Sequence, residues 1–214
     1  MAAEAVTTRA LSSGALTEQV DRIAIYELVQ RERSARDLER WDEMAACYNS
    51  DSDVDISWFR GTGADFVAAS KKMVTTSLRS FHQMGPTVAT IQANRALAET
   101  GCAIHLLGKV GDIDVDVVGQ ARMYSRVERK RDAWLLSGLR VMYISDCMLP
   151  LDPTRSPQLD PARLIGYRAS YRFISYLLAE NGITSRTDLP GTDQRESVET
   201  LWKAEEQWLH SSTS

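Results

Sequence analysis

Residues Leu78–Ile91 read LRSFHQMGPTVATI, and the pattern of the chain changes across Gly85 and Pro86. Upstream, apolar residues recur at helical spacing. Downstream, residues 87–148 hold runs rich in Val, Ile, Leu and Tyr, broken only by ETG, KVGD and ERKRDA, which predicts consecutive antiparallel strands joined by hairpins. His82 therefore stands where helices give way to a sheet.

Working upstream, Thr17 to Trp41 contains neither glycine nor proline. Val20, Ile23, Ala24 and Leu28 form one apolar stripe, and Ile25, Tyr26 and Val29 a second, which predicts a long helix with two buried faces. WDEMAACYNSDSD reads as a shorter helix ending near Asn49, DVDISWFRGTG as a strand before a glycine turn, and ADFVAASKKMVTTSLRS as a third helix.

Downstream, GDIDVDVVGQARMYSRVE (Gly111–Glu128) alternates, with Ile113, Val115, Val117, Gly119, Ala121, Met123 and Val127 small or apolar between polar neighbours. One face of that strand meets a core or cavity. Pro150 to Pro161 holds four of the six prolines and reads as an extended linker. Beyond it LIGYRASYRFISYLLAENG is an amphipathic helix stopped by Gly182, and DQRESVETLWKAEEQWLH another, with Asp193 as its cap.

Helices first and strands afterwards give an α+β order, and a curved antiparallel sheet wrapped around the long helix buries both. The expected organisation is a flexible tail over 1–16, a cone domain over 17–149, the linker over 150–161, and a helical extension over 162–214 that serves as a lid or a subunit contact.

Composition narrows the function. A formal net charge of −4 without a basic stripe argues against nucleic acid as a partner. Cys47, Cys102 and Cys147 are widely spaced, which fits neither a disulfide framework nor a zinc cluster and suits a reducing cytoplasm. No apolar run approaches the ~20 residues that span a bilayer, so no membrane partner is expected. The chain has no GxGxxG, P-loop, GxSxG or HExxH signature, and neither a metal nor an organic cofactor is expected.

What remains is dispersed. Asp37 lies late in the first helix with Arg33 and Arg40 at ion-pairing distance along it, His82 opens the sheet, and His105 sits between Ile104 and Leu106 on a central strand. Tyr26 falls on the face of Asp37, and Trp58 and Tyr143 are candidate pocket residues.

The order RDLERWDEM, ISWFRGTGADFVAAS, FHQMGPTVATI resembles the SnoaL-like branch of the nuclear transport factor 2-like superfamily over about residues 17–148. The resemblance implies a cystatin-like cone with a deep apolar pocket. Its pattern is similar to scytalone dehydratase, with Asp37 four residues before Trp41, a catalytic histidine at His82 and a second at His105. It also resembles bile acid dehydratase at Asp37 and His82. Arg36 stands where a tyrosine would be expected, and Met123 and Ser125 replace a later polar pair, so the substrate does not carry over.

The resemblance implies a cofactor-free dehydratase acting on a small apolar carbonyl-containing or polyketide-like molecule. His82 would remove a proton, and His105, oriented by Asp37, would protonate the leaving group. The pocket would include Tyr26, Trp58, Met123, Ser125 and Tyr143, and the protein would form a homo-oligomer, a dimer or trimer. An isomerase or polyketide cyclase using the same residues, and a non-catalytic binding or assembly module, are the alternatives.

Overall fold

A computed structural model describes residues 12–74 and 77–211. The first helix, α1, runs over Ser13–Asp37, with the Ser12 hydroxyl accepting the Ala15 N–H as N-cap. It starts four residues earlier than the sequence reading placed it, and residues 1–11 of the expected tail lie outside the described residues. Burial does not follow both stripes along their length. Ile25, Leu28 and Val29 face the core, whereas Val20 and Ile23 are more than half exposed, so the expectation of two buried faces is corrected.

Glu39, at φ +59°, turns the chain from α1 into a short α2, Trp41–Ala46. Strands β1, Tyr48–Ile56, and β2, Phe59–Gly61, follow, and α3, Gly63–Met73, begins under a Thr62 cap. Four long strands then form the body of the sheet: β3 Arg79–Gln92, β4 Arg95–Val110, β5 Ile113–Lys130 and β6 Ala133–Pro150. The sheet order is β2-β1-β6-β5-β4-β3, all pairs antiparallel except β1 with β6. This is an α+β fold of the cystatin-like, nuclear transport factor 2-like kind.

The sheet begins before Gly85 rather than after it. The register of β3 against β4 slips by one residue between Met84 and Thr87, which lodges Gly85 and Pro86 in a bulge on the edge strand. An edge strand tolerates a proline there because its missing N–H is not required by a neighbour. Along β5 the alternation read from sequence holds, with Val115, Val117, Ala121, Met123 and Val127 all buried.

After Pro150 no helix or strand forms until α4, Pro161–Ile165. The expected single helix over Leu164–Gly182 is instead α4, a 3-10 turn at Ala169–Tyr171, and α5, Arg172–Glu180, which ends before Gly182 at φ +73°. The last helix, α6, spans Arg195–His210. Asp193 does not cap it. The carboxylate accepts both Arg168 contacts at 2.8 Å and the Ser170 hydroxyl, which draws it toward the preceding turn.

Ile174, Leu177 and Leu178 of α5 join the same apolar core as α1 and the inner face of the sheet. On the outer face α6 packs Val198 and Leu201 against Tyr124 and Met142, and the Trp202 indole donates to the Tyr124 hydroxyl at 2.8 Å. Among the described residues no helix is long and apolar enough to cross a membrane.

Candidate active site

Asp37 occupies the last position of α1, where the helix dipole disfavours a carboxylate. Donors from β3 offset this. Oδ2 accepts the backbone N–H of His82 at 2.7 Å, and Oδ1 lies 2.8 Å from His82 Nδ1. The carboxylate thus fixes both the position and the tautomer of the ring: Nδ1 carries the proton and Nε2 the lone pair. Arg36 Nη1 also approaches Oδ1, at 3.3 Å.

Burial, followed by the charge of Arg33, pushes the His82 imidazole down to about 3, against the opposing pull of Asp37. The ring is therefore neutral near pH 7. Burial would raise Asp37, but the His82 hydrogen bond and the charges of Arg36 and Arg33 outweigh it and hold the carboxyl below its usual range.

Two guanidiniums lie beside this pair. Arg33 is 3 % exposed and donates to Glu32 at 2.9 Å, and Glu32 also accepts the Tyr48 hydroxyl at 2.9 Å. Arg36 is 7 % exposed and donates to Ser80 Oγ at 2.9 Å. The sequence reading treated Arg33 as a solvated partner of Asp37. The structure buries it and pairs it with Glu32.

His82, Arg33, Arg36 and Ser80 form the polar part of a cavity of ≈50 Å³ inside the cone. Ile56, Ile104, Leu106, Leu139 and Val141 supply apolar wall, and Ile174 and Leu178 of α5 close it. The volume corresponds to roughly four water-sized positions, so the cavity is a narrow one. Tyr143 contributes another polar group. Its oxygen accepts the Ser57 N–H at 3.1 Å, and burial pushes its phenol up to about 12, so it keeps its proton.

Of the pocket residues expected from sequence, Trp58, Met123 and Tyr143 line the cavity, and Tyr26 and Ser125 do not. Tyr26 packs half-buried against the core, while Ser125 is enclosed between Ala98 and Leu139 in the ladder.

His105 is not brought to Asp37. Its Nδ1 lies 2.8 Å from Asp116 Oδ2, and its ring stacks on Phe81 at 4.3 Å between centroids. Strand parity is the reason. His82 pairs with Ile104 and shares its face, so His105, one residue along, faces the other way with Phe81. The expected Asp37–His105 contact is thus corrected to Asp37–His82 and Asp116–His105. Sequence reasoning missed Arg33, Arg36 and Ile174 as cavity residues. The one available signal was that Arg33, Arg36 and Asp37 lie on adjacent rows of one helix.

Among the described residues no three His, Cys, Asp or Glu side chains gather as a metal-binding group. The arrangement holds a neutral base oriented by a carboxylate, two cationic donors and a phenol around an apolar volume. It can take a proton from carbon and stabilise the anion that results.

A PEP2-like protein of Fusarium vanettenii is 28% identical over 200 residues, which cover 89% of this chain and 86% of that protein. Among solved structures, a putative scytalone dehydratase from Novosphingobium aromaticivorans matches with a TM-score of 0.52 at 16% identity, over 61% of this chain and 89% of its own. A hexachlorocyclohexane dehydrochlorinase, LinA type 2, matches with a TM-score of 0.53 at 16% identity, over 68% and 97%. These structural likenesses speak to the fold. The SnoaL-like domain matches residues 18–140, more than half of the sequence, and the chain belongs to that family.

Proposed function

We propose that the protein is a cofactor-independent acid/base lyase of the dehydratase kind, acting on a small carbonyl compound with a largely apolar body. The observation that carries this reading is the His82 ring, held by Asp37 at 2.8 Å and facing an apolar cavity.

In the proposed reaction His82 Nε2 takes the proton from the carbon next to the carbonyl. The C–H electron pair becomes the new C=C bond as the C–O bond of the neighbouring hydroxyl breaks. Arg33 and Arg36 stabilise the negative charge on the carbonyl oxygen, and Tyr143 gives its proton to the departing hydroxyl, which leaves as water. The imidazolium then returns its proton to the phenolate, directly or through solvent. Asp37 acts through His82 as a positioning residue, and each positioned acid or base contributes on the order of 10²- to 10⁴-fold. The same abstraction would serve an isomerase or a cyclase. Two structural neighbours, one named a putative scytalone dehydratase and the other a dehydrochlorinase, support the lyase form.

A ligand-holding module without catalysis is the second reading, favoured by the closure of the cavity by Ile174 and Leu178. Proton exchange separates the two. Small 3-hydroxy carbonyl compounds are incubated with the protein in D₂O, and loss of the α-proton signal and appearance of alkene are followed by NMR. Exchange that falls by about 10²-fold or more in His82→Gln supports the enzyme. Equal rates in the two proteins refute it.

A further inference from the structure

We propose that Arg33 and Arg36 form an anion cradle, and that the cavity takes a small monocarboxylate whose carboxylate sits on the two guanidiniums while its carbon chain lies along Ile104, Leu106 and Val141. The proposal rests on reading this cavity as the active site and names the substrate class it takes.

The first argument is a surplus of donors. A guanidinium offers five N–H groups in a planar fork. Arg33 gives one contact to Glu32, and Arg36 contacts Ser80 and Asp37 through a single nitrogen. Among the described residues Nε of both arginines is buried without a partner. The neighbouring acceptors are already committed, Glu32 to Tyr48 and Arg33, and both oxygens of Asp37 to His82. A purely structural role, tying α1 to β3 through Ser80, uses one nitrogen of one arginine. Two buried forks side by side match the two oxygens of a carboxylate.

The second argument is charge. Glu32 and Asp37 balance Arg33 and Arg36, and His82 is neutral, so the buried cluster sums to zero. A monoanion leaves an excess of one negative charge, which His82 balances at the moment it takes the proton from the substrate. Binding the substrate head group therefore strengthens the base that acts on it, because the charge of Arg33 that weakens the imidazole is neutralised. A dicarboxylate would place its second charge against Ile104, Leu106 and Val141, and a dianionic phosphate would double the uncompensated charge in a cavity of ≈50 Å³. One carboxylate on a short apolar chain fits both the charge and the volume.

The test uses the full chain with butanoate as probe and butanamide as its neutral isostere, by calorimetry and by NMR titration of the His82 ring. Butanoate is expected to bind about 100-fold more tightly than butanamide, and the His82 imidazole to rise from about 3 to above about 4 when butanoate is bound. Arg36→Met, which conserves most of the volume, is expected to lose about 30-fold or more toward butanoate and nothing toward butanamide. Equal affinity for the two probes, or no saturable binding of butanoate at about 50 mM, overturns the proposal on the unaltered protein. Butanoate binding that survives in His82→Gln, alongside proton exchange that does not depend on His82, would leave the cradle standing and remove the enzyme.

Discussion

Two buried groups titrate in opposite senses, and substituting them should give mirror-image changes in acid stability. His82 is pushed from its ordinary 6.5 down to about 3. As pH falls below 6.5 the unfolded chain takes up this proton and the folded one does not, so stability present above 6.5 is lost on the way to 3. Asp146 on β6 behaves in reverse. Its Oδ2 accepts the Ile174 N–H at 2.8 Å, and burial raises it from 3.8 to about 6. Below pH 6 the folded chain takes up that proton first, and stability is gained as pH falls toward 3.8. Between about pH 7 and 4.5, at ~1.36 kcal/mol per unit, His82 removes about 2.5 kcal/mol and Asp146 returns about 2 kcal/mol, so in the unaltered chain the two nearly cancel. His82→Gln is therefore expected to gain about 2.5 kcal/mol on the unaltered chain between the two pH values, and Asp146→Asn to lose about 2 kcal/mol. Urea unfolding at both pH values measures this, and the difference between variant and wild type cancels the titrating groups that do not touch the substituted residue. A His82→Gln chain that tracks the wild type would show that the imidazole is not held neutral, and the general-base assignment would lose its physical basis.

Three further substitutions probe the site. Asp37→Asn removes the charge that both His82 donors and Arg36 rely on, and is expected to slow α-proton exchange by about 10²-fold and to cost about 3 kcal/mol in urea unfolding, the scale for leaving a buried guanidinium unpaired. His105→Asn, on the face away from the cavity, is expected to leave exchange within a few-fold, so a loss comparable to that of His82→Gln would restore the role expected from the resemblance. Ile174→Ala enlarges the cavity and is expected to cost about 2–4 kcal/mol while allowing a longer carboxylate than butanoate to bind; an unchanged chain-length preference would show that Ile174 does not limit the space.

The alternation of β5 was legible because Val115, Val117, Ala121 and Met123 interleave with Asp114, Asp116, Gln120 and Arg122, so the pleat could be read from residue types alone. β4 offers no such signal. His105 stands between Ile104 and Leu106, and only the register against β3 decides which face each takes. The start of β3 was hidden for a related reason: Gly85 and Pro86 read as a break, whereas an edge strand absorbs them as a bulge. Arg33 read as a solvated partner of Asp37, and Arg36 only as a departure from an expected tyrosine, because the long side chains of arginine say nothing about burial. What buries them is the cone closing over α1, a tertiary event.

How a carboxylate reaches so narrow a cavity follows from comparing two walls. On one side Ile174, Leu177 and Leu178 of α5 are each at most 4 % exposed, and lifting the helix exposes all three, at roughly 2 kcal/mol apiece or about 6 kcal/mol together. On the other side Arg33 and His82 line not only the cavity but also an outer depression of ≈320 Å³ shared with Gln30, Ser34, Asp37, Leu38 and Met84. There the partition is made of the Arg33 and His82 side chains, and moving either breaks one buried polar contact, at about 3 kcal/mol. The difference of about 3 kcal/mol favours access past Met84 by about two orders of magnitude. Met84→Trp, which fills the depression, is expected to slow association and dissociation of butanoate together by about tenfold while Kd changes little. Leu178→Ala, which loosens α5, is expected to leave both rates alone. If instead Met84→Trp is silent and Leu178→Ala speeds exchange, α5 is the moving part, and the burial of its three apolar side chains is a weaker restraint than their area implies.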